Sequence, residues 1–206
     1  RWAVSQEPEQ VWGIPRQDMI DLIGDFQGFL ADSSDVLSSC LRLENQGSFR
    51  DRPAAEEDPS WKQVIPYVCI EFEGQILVLQ RLATQGEKRL HGKKSIGVGG
   101  HVNPEKEGSL PLLLKGLRRE LEEEIGLIPE PEDCEVLGWI NDDQTSVGQV
   151  HLGWAVRVKA KNKPRIVETD RMTGEWVSLK DLRPDDENWE SWSSLLIRHM
   201  KAVISA

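Results

Sequence analysis

Apolar residues at Leu110, Leu114, Leu117, Leu121 and Ile125 recur at three- and four-residue steps, the period that lines one side of an α-helix. Lys115, Arg118 and Glu122 fall on the far side, where a solvated face belongs. Ser109 stands at the N-cap position, Pro111 suits the first turn, and Gly126 suits the left-handed residue that ends a helix. Elsewhere the period shortens to two. Val64 to Phe72 and Gln75 to Gln80 read as strands joined through a Glu73-Gly74 hairpin turn, with Pro66 putting the first at an edge or near a bulge. Ser95 to Val102 sets Ile96, Val98, Gly100 and Val102 against Gly97, Gly99 and His101. Three glycines would weaken an ordinary strand, so another backbone or a ligand is expected to approach closely there. Glu135 to Ile140, Gln149 to Val158 and Glu175 to Leu179 read as further strands, the second alternating Val150, Leu152, Trp154, Val156 and Val158. An amphipathic helix is expected from about Asn188, with Trp189, Trp192, Leu196 and Val203 on one face.

Residues 1–62 are more irregular. Val11 to Pro15 is extended, Gln17 to Leu30 is a candidate helix, and Gln46 to Ser60 reads as loop because it is rich in charge and proline. The expectation is an N-terminal extension that packs on the core or caps the site, followed by one catalytic domain over residues 63–206. Strands, helix, strands, helix suits an α/β (α+β) domain with a sheet sandwiched between helices.

The helix that ends at Gly126 carries the chemistry. Glu120, Glu123 and Glu124 lie at i, i+3 and i+4 and so share a face. Like charges at that spacing repel, and acids near a helix C-terminus oppose its dipole, so the cluster breaks two local rules at once. Such a breach without local compensation points to function. The string from Arg119 to Leu127 resembles the signature of the Nudix hydrolases, G-x5-E-x7-R-E-U-x-E-E-x-G-U with U apolar, and matches its second half at every defined position. Gly99-Gly100-His101-Val102 resembles the first half, with Gly100 as the box glycine. Six residues on, where the family has Glu, this chain has Lys106 between Glu105 and Glu107, and Gly100 and Arg119 are separated by five residues more than the family pattern. Lys62 to Tyr67 and Arg89 to His101 look like a bacterial MutT-type group of predicted phosphoesterases.

The resemblance implies the Nudix fold, a mixed sheet between helices. It also implies that Glu120, Glu123 and Glu124 bind metal and that Arg119 orients a carboxylate, either Glu105 or Glu107. Oxygen ligands suit Mg²⁺ or Mn²⁺, whereas zinc favours His or Cys, which this stretch lacks. Such an ion would neutralise a diphosphate and lower the pKa of the water that attacks phosphorus. Glu120 is a candidate general base, and Glu168, ahead of Asp142 and Asp143, is the candidate for a further ligand. The expected activity is metal-dependent hydrolysis of a nucleoside diphosphate linked to another moiety, or of a related organic diphosphate. The alternatives are a non-catalytic Nudix-like binding domain, and a diphosphate isomerase on the same fold, which would need a cysteine such as Cys69.

Charge narrows the partners. A formal net charge of -10 argues against a nucleic-acid polymer, whose binders carry a basic patch. Against that background Arg81 to Lys94 gathers Arg89 and Lys93 with four other basic residues around the single acid Glu87, a candidate contact for substrate phosphates. Gly99 and Gly100 join that substrate-binding set, and His101 is either a satisfied structural histidine or a contact to metal or phosphate. Three scattered cysteines, Cys40, Cys69 and Cys134, suit reduced thiols in a cytoplasmic protein. No apolar run reaches membrane-spanning length, so a membrane partner is not expected, and a homodimer is left open.

Overall fold

In the computed structural model, residues 6–82, 92–106, 108–166, 169 and 171–205 are described. In chain order the elements are β1 (Gln10–Pro15), α1 (Arg16–Ile23), β2 (Gly28–Ala31), α2 (Val36–Glu44), β3 (Ser48–Asp51), α3 (Arg52–Ala55), β4 (Trp61–Phe72) and β5 (Gln75–Arg81). After them come β6 (Lys94–Ser95), β7 (Gly97–Gly99), α4 (Leu112–Ile125), β8 (Cys134–Asn141), β9 (His151–Lys159), β10 (Met172–Ser178) and α5 (Ser191–Ser205).

Sheet order is β10-β5-β4-β9-β8-β2, with β1, β3, β6 and β7 attached beside it. Among the described strands only β4 and β9 pair in parallel, and they stay in register from Gln63↔His151 to Glu71↔Lys159. On its other side β4 takes three antiparallel partners in turn: β1, then β7, then β5. Its side chains alternate between two cores. Val64, Val68 and Ile70 join the inner faces of α1, α2 and α4, while Tyr67 and Cys69 join α5. The fold is therefore a mixed sheet sandwiched between helices, as expected. No helix among the described residues is long and apolar enough to cross a membrane.

Several expectations need correction. Pro66 lies in the middle of an interior strand rather than at an edge or bulge. It falls between the stretch paired with β1 and the stretch paired with β7, where β4 changes partner and the missing donor is tolerated. The helix expected over Gln17 to Leu30 stops at Ile23. Gly24 and Gly28 take φ of 109° and 91°, and Gly28–Ala31 leaves as an edge strand on β8. The expected loop Gln46 to Ser60 contains β3 and α3, because pairing with β1 supplies what the local sequence lacks. Ser109 does not cap α4. The helix starts after Pro111, and Glu44 of α2 accepts from the Leu112 N–H at 3.4 Å. Trp189 precedes α5 and Val203 is exposed, so the buried face is Ser193, Leu196, Ile197 and Met200. The polar stretch before the last strand is shorter than expected, since Met172 to Gly174 already pairs with β5. The Glu73-Gly74 turn is as expected, with φ of 48° and 78°.

Asp143 knits the N-terminal segment to the sheet. It accepts two hydrogen bonds from Arg16 at 2.8 Å each, one from Gln27 at 2.6 Å and one from Lys62 at 2.7 Å. Lys62 is fully buried and also donates to the Gly148 carbonyl at 2.6 Å. The Arg16 bonds, with those of Lys62 and Gln27, hold the Asp143 carboxyl well below the usual carboxylate range, while burial pulls the Lys62 ammonium down. A depressed carboxyl contributes stability above its unfolded pKa of about 3.9 and loses it as pH falls through the folded value. Asp143→Asn is expected to destabilise the fold at pH 7 by about 2–3 kcal/mol, since it strands a buried ammonium. The gap between variant and parent should shrink below about pH 4. Urea titrations across pH check both, and a pH-independent gap would remove the ion pair as the cause.

Candidate active site

Helix α4 buries Leu113, Leu114, Leu117, Leu121 and Ile125 against the sheet. Gly116 lets the chain after β7 cross it closely, for a Cβ there would lie 3.1 Å from Val102. Gly126 ends the helix in the left-handed region at φ 64°, and its N–H donates to the Glu122 carbonyl at 3.0 Å. This docking turns one flank of α4 toward the chain that leaves β7.

Arg119 fixes the join. Its Nε donates to Glu105 Oε1 at 2.6 Å, and its Nη2 donates to the His101 carbonyl at 2.8 Å and to Asn103 Oδ1 at 2.9 Å. Nη1 reaches Glu120 Oε1 at 3.1 Å and Glu123 Oε2 at 3.5 Å. Glu105 is thus the carboxylate that meets Arg119, while Glu107 lies outside the described residues. The longer spacing between Gly100 and Arg119 is absorbed without losing the pair. Burial would lower the Arg119 pKa, but the Glu105 bond and the surrounding carboxylates raise it.

The three box carboxylates differ in setting. Glu120 retains 14% side-chain exposure and presses on Gly100, where a Cβ would come within 2.2 Å of its carboxyl carbon. Glu123 is exposed and Glu124 half-buried, three and four residues nearer the helix end. A carboxylate against a glycine backbone, with two more on the same flank, is an all-oxygen donor set of the kind hard divalent cations take. Two open clefts flank α4, of about 350 and 440 Å³, yet neither is lined by Glu120, Glu123 or Glu124. The site is therefore defined by helix spacing and the Gly100 contact rather than by a cavity among the described residues.

Other expected site residues are distributed more widely. The glycines of β7 answer to protein neighbours: a Cβ on Gly97 would strike the Tyr67 ring at 2.2 Å, and one on Gly99 the Pro66 carbonyl oxygen at 2.9 Å. Lys93 donates to the Glu187 carbonyl at 3.1 Å, just ahead of α5 and away from α4. Arg89 and Glu168 lie outside the described residues. Asp143 is committed to Arg16 and Lys62, and Asp142 accepts from the Gln144 N–H within its turn at 3.1 Å. His101 is mostly buried and faces His151, with Nε2 atoms 3.4 Å apart, and burial pushes its pKa down to about 4. His151 and Glu56 were not legible as partners, being 50 and 45 positions from His101 with no repeat or spacing to link them. Cys69 is fully buried beneath α5, and burial pushes its thiol up to about 12, so it is held protonated and away from solvent.

A mixed sheet between helices, with a carboxylate-bearing helix locked by arginine onto a glycine strand, belongs to a class of phosphoric-anhydride hydrolases. A family model described as the NUDIX domain matches residues 62–199. Protein YmaB of Bacillus subtilis (strain 168) is 38% identical over 197 residues, 92% of this chain and 96% of that protein. The solved structure of Tm1382, a Nudix hydrolase by assignment, is 31% identical with a TM-score of 0.79, covering 95% of this chain and 100% of that one. A MutT NUDIX hydrolase from Burkholderia pseudomallei shares the fold, at 23% identity and a TM-score of 0.51 over 66% of this chain and 95% of that one. The chain belongs to the Nudix family. It is an enzyme of the pyrophosphohydrolase kind, in a family that generally works with divalent metals.

Gly100→Ala is expected to lower turnover about 100-fold by displacing the Glu120 carboxylate, with little loss of thermal stability. Steady-state kinetics beside a melting curve check it; full activity with an intact fold would show that the contact is dispensable.

Proposed function

We propose that this chain hydrolyses the diphosphate linkage of a nucleoside diphosphate joined to another moiety, or of a related organic diphosphate, by water attack on phosphorus. The observation that carries this reading is the close packing of Glu120 on Gly100 while Arg119 grips Glu105, which assembles both halves of the box despite the added residues between them. Glu120, Glu123 and Glu124 are the groups to hold Mg²⁺ or Mn²⁺, with Glu168 as a further ligand. When bound, the cation supplies charge neutralisation of the diphosphate and acidifies the attacking water.

The chain's own residues do the rest. Arg119 is a positioning residue: it fixes the Glu120 rotamer and the chain after Gly100 together, so carboxylate and backbone meet the substrate as one unit. Glu120 is the candidate to accept the water proton, since it is far less exposed than Glu123 and packs on Gly100. Gly99 and Gly100 present backbone to the phosphates. Arg89 and Lys93 are the proposed cationic contacts, and Lys93 would have to leave the Glu187 carbonyl to serve. Residues 1–62 act as an extension fixed to the catalytic domain rather than as a separate unit. The partner is a small molecule; the assembly in solution and a cytoplasmic location belong to the same proposal.

The test is a hydrolysis screen of nucleoside triphosphates, dinucleoside polyphosphates, nucleotide sugars, dinucleotide cofactors and prenyl diphosphates with Mg²⁺ and Mn²⁺. Glu120→Gln and Glu123→Gln should each lower kcat by about 100-fold or more, with Glu122→Gln on the solvated face unchanged. Tight nucleotide binding with no turnover for any substrate would replace the hydrolase by a binding domain.

A further inference from the structure

Three parts of the chain that are distant in sequence meet behind the box. Glu56 follows α3 in the N-terminal segment, His101 follows β7, and His151 opens β9. Their donor atoms all lie within 4.8 Å of one another. The two imidazole Nε2 atoms are 3.4 Å apart, and His101 Nε2 is 3.9 Å from Glu56 Oε1. His151 Nδ1 lies 2.6 Å from the Val147 carbonyl, which accepts only from a protonated nitrogen. That bond fixes the tautomer, so the His151 Nε2 lone pair points at His101. Among the described residues no box carboxylate joins this group.

The spacing is that of chelation. A tetrahedral ion bound at about 2.0–2.1 Å sets its donors about 3.3 Å apart, close to the gap between the histidines. Glu56 is the exposed member of the group, and its carboxylate must draw closer to complete the set. Arg52 holds that same Glu56 Oε1 at 3.0 Å and is itself paired with Glu9 at 2.9 Å, so its charge is offset. Beside His151 across the β4–β9 pair stands Gln63, fully buried, whose Oε1 has no hydrogen-bond partner among the described residues. A buried acceptor without a donor is costly, and a water completing a metal's coordination is a donor.

We propose that Glu56, His101 and His151 bind a divalent transition metal of the zinc class, at a site separate from the box carboxylates. Two imidazoles and one carboxylate select a borderline ion over Mg²⁺, and three protein ligands leave a position for water or a substrate oxygen. Both rings are held neutral by burial, the form that coordinates. The ion would tie the N-terminal segment to the chain that carries Gly100, and so brace the box from behind.

Chelator-stripped protein is titrated with Co²⁺ in excess Mg²⁺, which keeps the carboxylate site filled. One equivalent should bind with the visible absorption of a four-coordinate site containing nitrogen, be displaced by Zn²⁺, and raise the melting temperature. Glu56→Gln and His101→Ala should each weaken binding by at least about 10-fold, while Glu120→Gln leaves the spectrum unchanged. Because Glu56 is exposed, its variant carries the test if a histidine variant fails to fold. Absence of the absorption in the parent protein overturns the proposal, as does binding that Glu120→Gln abolishes and Glu56→Gln spares. In those cases the two histidines are a hydrogen-bonded structural pair.

Discussion

The guanidinium of Arg119 distributes its donors over Glu105, the His101 carbonyl, Asn103 and Glu120, and no neutral or single-point donor could replace that pattern. A planar fork has fixed directions, so each acceptor it engages is located relative to the others. The described residues between β7 and α4 form no regular element, and Arg119 pins His101, Asn103 and Glu105 among them. The added residues between Gly100 and Arg119 are tolerated for the same reason. Extra length on the surface costs little loop entropy so long as the ends are pinned.

Glycine and carboxylate then act together. Gly100 is where the backbone must approach α4 more closely than any side chain permits, and Glu120 fills the space a Cβ would take. Gly116 plays the matching part on the helix, against Val102. Close approach of strand and helix sets the Gly100 backbone against the Glu120 carboxylate. Acids at the unfavourable end of the helix are tolerated because Arg119 counters their repulsion in place.

The N-terminal segment is woven into this assembly. β1 pairs with β4, β2 with β8, and Asn103 donates to Glu9 at 3.0 Å and to the Gln10 carbonyl at 2.8 Å. Arg16 and Lys62 converge on Asp143 from either side of the same junction. Cores, ion pairs and the Glu56 carboxylate all cross from this segment to the rest, so its ordering is coupled to that of the box.

Wherever the chain's own period settles burial, the sequence was sufficient. The α4 stripe ending at Gly126, the alternation of β9 and the Glu73-Gly74 turn depend on neighbours a few residues apart, and each is present in the structure. The carboxylate triplet was legible for the same reason, since helical spacing alone puts it on one flank. Tertiary structure decided the rest. Pro66 sits in an interior strand because β4 changes partners there, and β3 and Gly28–Ala31 are strands because β1 and β8 offer them ladders. The choice of Glu105 and the meeting of Glu56, His101 and His151 arise from contacts across dozens of residues, set by the packing of β4 on β9 and by the reach of one arginine. No local propensity records such contacts, because the free energy that fixes them exists only once the sheet has formed.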